Sequence, residues 1–215
     1  MHSMHDECPI GLRERKKAAT RLAIEMAAVD IAYRQGYEAT TAEAIATKAE
    51  VSLRTFFNYF PSKDVAIGGP GLPRIEGGRA QKILEDAGAD LLKGIARVAR
   101  ACVAEADPTS ELMRRRRRLI HENPSLFHLH VNADAQFDTW LAGIVAEYLT
   151  AHPWRRRLAE QATVEEEARL AVMAVSSAVH YHVRRAIDND VDIALSEDDI
   201  EHTIDMMAQI HRKDS

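Results

Sequence analysis

Cysteine is nearly missing from this sequence: among 215 residues only Cys8 and Cys102 occur. Two cysteines so far apart supply neither a disulfide framework nor metal-ligand spacing, and a reducing cytoplasm is the expected setting. Aromatic residues are also scarce, at 6% of a chain that is 46% hydrophobic. That balance favours an alanine-rich helical protein over a sandwich or barrel. No apolar run approaches the roughly 18 residues of a membrane span. The first ten residues carry Asp6 and Glu7 and do not resemble a signal peptide. The glycine-rich stretch at residues 68–78 has neither P-loop nor dinucleotide spacing, and no G-x-S-x-G motif is present. An enzyme is therefore not expected, nor a cofactor, and no strand pattern or internal repeat competes with a helical reading.

What the chain does contain is concentrated in residues 40–63, TTAEAIATKAEVSLRTFFNYFPSK. Thr40 with Glu43 three residues on is placed for a capping box, and Ala42, Ile45, Ala46 and Ala49 follow at helical spacing. Glu50 and Val51 form a turn, and Ser52 is a second N-cap that opens a helix to Phe60. On that helix Phe56 and Phe60 lie at i, i+4 with Leu53 one turn earlier, so these three are expected to point inward. Arg54, Thr55, Phe57, Asn58 and Tyr59 are left outward. An outward Arg and Asn among aromatics suit a helix laid in a DNA major groove, where Arg reads guanine, Asn reads adenine and apolar groups meet the thymine methyl. Lys63, just past Pro61, is placed for a phosphate.

These residues resemble the TetR family of transcriptional regulators over roughly residues 13–67: Gly36-Tyr37, the TT-x-x-x-IA stretch, Val51-Ser52, Thr55, Phe57, Tyr59-Phe60 and Ser62-Lys63 stand at family spacing. The resemblance implies that Thr41 and Lys63 hold phosphates. It also implies that Ser52, Leu53, Arg54 and Thr55 enter the groove and that Phe57, Asn58 and Tyr59 touch bases or backbone. Two positions depart from the pattern. The family usually places glycine where Glu50 stands, and a left-handed backbone there would cost Glu something that Gly avoids. Tyr is common where Phe57 stands, and the missing hydroxyl removes a phosphate hydrogen bond.

The net charge of −5 conceals a division. Residues 1–65 hold nine Lys and Arg against nine Asp and Glu, so the deficit lies beyond them, and residues 13–21 are locally basic as phosphate contact requires. A first helix is expected over about residues 13–35, with one stripe of Leu22, Met26, Val29 and Tyr33, another of Ile24, Ala28 and Ile31, and Gly36 as its stop. Seven glycines and prolines between Gly68 and Gly78 interrupt any continuous helix. Five more helices are expected at about residues 79–106, 109–122, 124–151, 163–187 and 196–212, the first open to a kink or split at Gly88 or Gly94.

The expected fold is thus all-α: an N-terminal three-helix helix-turn-helix DNA-binding domain, residues 1–67, followed by a helical ligand-binding and dimerisation domain, residues 68–215. The apolar run at residues 170–183 and the stripe Ile200, Ile204, Met207 and Ile210 call for a partner surface, which two copies would supply as a four-helix interface. The resemblance implies the same homodimer. Cys102, Phe137, Trp140, Leu141, Ile144, Tyr148 and Tyr181 are the candidates to line a small-molecule effector pocket. The five arginines 114–118 sweep more than a helical turn, which favours a solvated, paired face with Glu111 and Glu122; contact with the DNA-binding domain or an anionic ligand is the alternative. His128 and His130, like His180 and His182, are spaced i, i+2, which does not suit chelation, and no metal is expected. The reading is a cytoplasmic, homodimeric repressor released from a palindromic double-stranded DNA operator by a small effector, with no membrane partner. A protein-interaction module retaining the fold, or a regulator without an effector, is the alternative.

Overall fold

The computed structural model describes residues 11–105, 110–189, 191 and 196–210. Cys8 and the expected helix ends at 106, 109 and 212 lie outside them. Within the described residues the order is α1 (Leu12–Gln35), α2 (Ala42–Lys48), α3 (Leu53–Tyr59), α4 (Lys63–Gly68), α5 (Gly77–Asp86), α6 (Leu91–Glu105), α7 (Glu111–Glu122), α8 (Pro124–Ala151), α9 (Val164–Asp188) and α10 (Glu197–Ile210). The architecture is all-helical, as the composition predicts.

Side-chain caps set many of these starts. Thr41, Ser52, Ser62, Ser110 and Thr163 each accept from a backbone N–H of the following turn, and Thr163 with Glu166 forms a reciprocal capping box. The expected box at Thr40 and Glu43 does not form. Thr41 is the cap, while buried Thr40 donates its hydroxyl to the Gly36 carbonyl. Gly36, at φ 93°, ends α1. Gly88, at φ 67°, divides the long helix expected after residue 79 into α5 and α6.

Two hydrophobic cores result. The smaller joins Ile24, Ala28, Val29 and Ile31 of α1 to Ile45, Phe56, Phe60 and Ile67, and closes with Leu119, Ile120 and Leu126 from α7 and α8. The larger lies among α5, α6, α8, α9 and α10. The second α1 stripe is buried as its spacing predicts, but Leu22, Met26 and Tyr33 of the first stripe are exposed and only Val29 is covered. Helix α1 needs one wide apolar face against α2, α4 and α7, and residues 22, 26 and 33 fall outside it.

Between α4 and α5 the chain runs through Gly69 to Glu76 without helix. Gly69 and Gly71 both have positive φ, 78° and 76°. Helix α4 is therefore a six-residue segment rather than a continuous lever.

Candidate nucleic-acid interface

Helix α3 presents one face inward and one outward because Phe56 is fixed from below. Phe56 and the following Phe60 are completely buried with ring centroids 6.1 Å apart. Ser52 accepts from the Thr55 N–H at 3.0 Å and its hydroxyl pairs with that of Thr55 at 2.8 Å, which fixes the first turn. Arg54, Phe57 and Asn58 then project outward, with Phe57 53% exposed. Among the described residues, the side chains of Arg54 and Asn58 have no hydrogen-bond or ion-pair partner, so both are available to an external acceptor.

Two orientations differ from the sequence reading. Leu53 was expected inward but is 38% exposed, because it lies at the first position of α3, beyond the edge of the small core. Tyr59, expected outward, is half-buried against that core. The outward surface therefore consists of Ser52, Leu53, Arg54, Phe57 and Asn58, with Thr55 partly covered.

The turn before α3 has a defined form. Val51 N–H donates to the Ala46 carbonyl at 3.0 Å and Glu50 N–H to the Thr47 carbonyl at 3.2 Å, the paired bonds of a Schellman stop. Glu50 occupies its left-handed position at φ 55°, and among the described residues it alone is a non-glycine with positive φ. The conformation that glycine would adopt without strain is thus kept, at a steric cost to Glu.

Thr41 caps α2 through its hydroxyl and remains exposed. Lys63 has a more involved position. Its ammonium donates to the Tyr37 carbonyl at 2.9 Å and sits 4.4 Å from the Tyr37 ring centroid, while the Tyr37 hydroxyl donates to Asp64 at 2.8 Å. Burial and the Asp64 carboxylate push the Tyr37 phenol up from its ordinary pKa. Lys63 therefore clasps the α1–α2 loop to α4.

The arginine run is not a uniformly solvated face. Arg116 is buried, donating to Glu25 of α1 at 2.8 Å and to the Ile67 carbonyl of α4 at 2.9 Å. Arg115 pairs with Asp30 at 2.9 Å and covers the Tyr33 ring at 4.9 Å. Asp30 also accepts from Lys48 at 2.6 Å and Arg34 at 2.7 Å, and these donors hold its carboxyl at about 2. Two neighbouring arginines of α7 thus grip α1 at two points. Arg114 and Arg118 keep the expected pairs with Glu111 and Glu122, at 3.0 and 2.8 Å.

Of the residues expected around an effector, Cys102, Phe137, Leu141, Ile144 and Tyr148 are buried together in the large core, with Trp140 packed against it. Tyr181 stands apart, 47% exposed on α9. A cavity of about 670 Å³ among α1, α7 and the end of α9 is lined by none of these seven. No group of three or more His, Cys, Asp or Glu among the described residues could hold a metal ion. No helix of the described residues is long and apolar enough to cross a membrane.

Residues 24–65, which hold all of α2 and α3, match the family described as bacterial regulatory proteins, tetR family. A stretch of 54 residues is 48% identical to the HTH-type transcriptional regulator TcmR of Streptomyces glaucescens, covering 25% of this chain and 24% of that protein. The chain thus spans about a quarter of the curated relative it matches. The whole fold is similar to NalD of Pseudomonas aeruginosa, described as the secondary repressor of the MexAB-OprM multidrug efflux pump. One NalD structure gives a TM-score of 0.56 at 17% identity, covering 91% of this chain and 96% of that one. A second gives 0.58 at 18%, covering 89% and 96%. Residues 24–65 thus carry the sequence of the tetR-family N-terminal region, and the described helices as a whole share the fold of NalD.

Proposed function

We propose that this protein is a homodimeric transcriptional repressor that binds a palindromic DNA operator and is released by a small-molecule effector. The observation that carries the DNA-binding part is α3. Its buried Phe56 anchors an outward face on which Arg54, Phe57 and Asn58 are exposed together. Such a face fits the major groove, with Thr41 and Lys63 toward phosphates.

The dimer is supported by an apolar face on the last two helices. Leu170, Met173 and Tyr181 are exposed at helical spacing on α9, and Met206 and Ile210 at i, i+4 on α10. Ile200 and Ile204 of the expected α10 stripe serve the large core instead, so the face available to a second copy is carried mainly by α9. Two-fold pairing would set the recognition helices about 34–36 Å apart, one DNA turn. An effector that favours another spacing would weaken operator binding, and by linkage the operator would weaken effector binding equally.

Fluorescence anisotropy on the DNA flanking the protein's own gene tests this reading. Arg54→Ala and Asn58→Ala should weaken specific binding far more than nonspecific binding, whereas Lys63→Ala should weaken both and flatten the salt dependence. Unchanged operator affinity in all three variants would refute the assignment of α3.

A further inference from the structure

The cavity of about 670 Å³ lies where α7 and the C-terminal end of α9 meet α1. Its size is that of a small-molecule site. Arg114, Arg115, Arg117 and Arg118 line it, while Arg116 turns the other way into the small core. Tyr33 of α1 and Ile187 of α9 add apolar wall. Among the described lining residues three carboxylates face this charge, Glu111, Glu122 and Asp188, with side chains 56%, 52% and 52% exposed, and Arg114, Arg117 and Arg118 keep further interactions besides. Asp188 is itself taken by Arg184 at 3.1 Å. Exposed ion pairs of this kind are weak, so an incoming anion can replace these carboxylates at small cost. Several guanidinium forks around one volume suit a ligand with many acceptor oxygens, since each fork can donate two parallel hydrogen bonds.

We infer that this cavity binds a polyanionic small molecule, bearing phosphate or several carboxylates, whose apolar part rests on Tyr33 and Ile187. The residues differ from the seven expected to line an apolar effector pocket and from the outward side of α3. Arg115 belongs both to the cavity wall and to the Asp30 and Tyr33 contacts of α1. An anion that recruits Arg115 loosens the hold of α7 on the reader, so occupancy changes operator affinity; this last step rests on the regulator reading.

The test is calorimetric titration of the full-length protein with pyrophosphate and, separately, citrate, at ionic strength held constant with sodium chloride. The unaltered protein should bind one or both saturably, and the stronger probe identifies phosphate or carboxylate chemistry. The double variant Arg117→Ala/Arg118→Ala and the single variant Arg118→Glu should each bind the stronger probe about tenfold more weakly. The absence of saturable binding of either anion, or equal affinity in the unaltered protein and both variants, overturns the site. Operator affinity measured with and without the probe separates the two readings. Anion binding without operator binding removes the regulator reading and leaves the site standing. Operator binding that ignores a bound anion overturns the coupling through Arg115.

Discussion

Arg116 of α7 and Glu25 of α1 form an ion pair at 2.8 Å with side chains only 6% and 9% exposed. Removing Arg116 leaves buried Glu25 with only the more exposed Arg21 at 3.2 Å, and removing Glu25 leaves the buried guanidinium with the Ile67 carbonyl at 2.9 Å but no carboxylate among the described residues. Arg116→Ala or Glu25→Ala alone should therefore destabilise the protein by about 3–5 kcal/mol. The double variant Glu25→Leu/Arg116→Met should lose less than the sum of the single losses, because it buries no orphan charge. Urea denaturation at one fixed protein concentration measures this, the concentration being held because association contributes to apparent stability.

Gly69 should resist substitution because of the same arginine. A Cβ at that position would lie 2.5 Å from Arg116 Nη1, and the backbone has φ +78°. The guanidinium cannot simply move away, since the Ile67 carbonyl and Glu25 both hold it. Gly69→Ala should cost about 1–3 kcal/mol. In an Arg116→Ala background only the backbone strain should remain, so a double-mutant cycle should give a clear coupling between the two positions.

Glu50 offers the opposite case. With φ 55° it bears a strain that glycine would not, and Glu50→Gly should stabilise the protein by about 0.5–1 kcal/mol after the greater freedom of glycine in the unfolded chain is allowed for. Thermal unfolding should move up by about 1–4 °C. A lower melting temperature would mean that the Glu50 side chain contributes something its geometry does not reveal.

Asp30 should keep its charge in acid where an ordinary carboxylate loses it. Hydrogen bonds from Lys48 and Arg34 hold its carboxyl at about 2 against an ordinary 3.8. In that interval the unfolded chain binds more protons than the folded one, so the stabilisation is complete above about pH 3.8 and is lost as pH falls toward 2. Asp30→Asn should flatten the stability profile in that window and cost about 1 kcal/mol near neutrality, since the carboxylate is partly open to solvent. Denaturation curves between pH 2 and pH 5 provide the comparison.

The helices and the reader were legible from the sequence because their determinants are local. Ser52 caps α3 through Thr55, three residues on, and Phe56 with Phe60 reads inward from spacing alone. Local reading errs where two local choices are equivalent. Thr40 and Thr41 carry the same hydroxyl, and only the path of the preceding loop gives the cap to Thr41 and turns Thr40 back to Gly36. Leu53 has the spacing of a core residue, but core coverage stops before the first turn of α3. The role of Arg116 had no local signature at all: its partner Glu25 is 91 residues away, and nothing marks it off from four neighbouring arginines. Tyr181 illustrates a further limit, since apolar residues facing a core, a ligand or a second copy share the same composition.

The eight residues from Gly69 to Glu76 lie between the short α4 and α5 without helix. A junction of this kind makes an inviting splice point for chimeras that pair this reader with a foreign sensor. Such a graft would sever more than the covalent connection, because Leu119, Ile120 and Leu126 complete the reader's core and Arg116 holds both Glu25 and Ile67. The exchangeable unit is thus discontinuous in sequence: residues 11–69 must travel with α7 and the first turn of α8, or the transplanted reader arrives with an open core and a buried Glu25 that keeps only Arg21 as its partner.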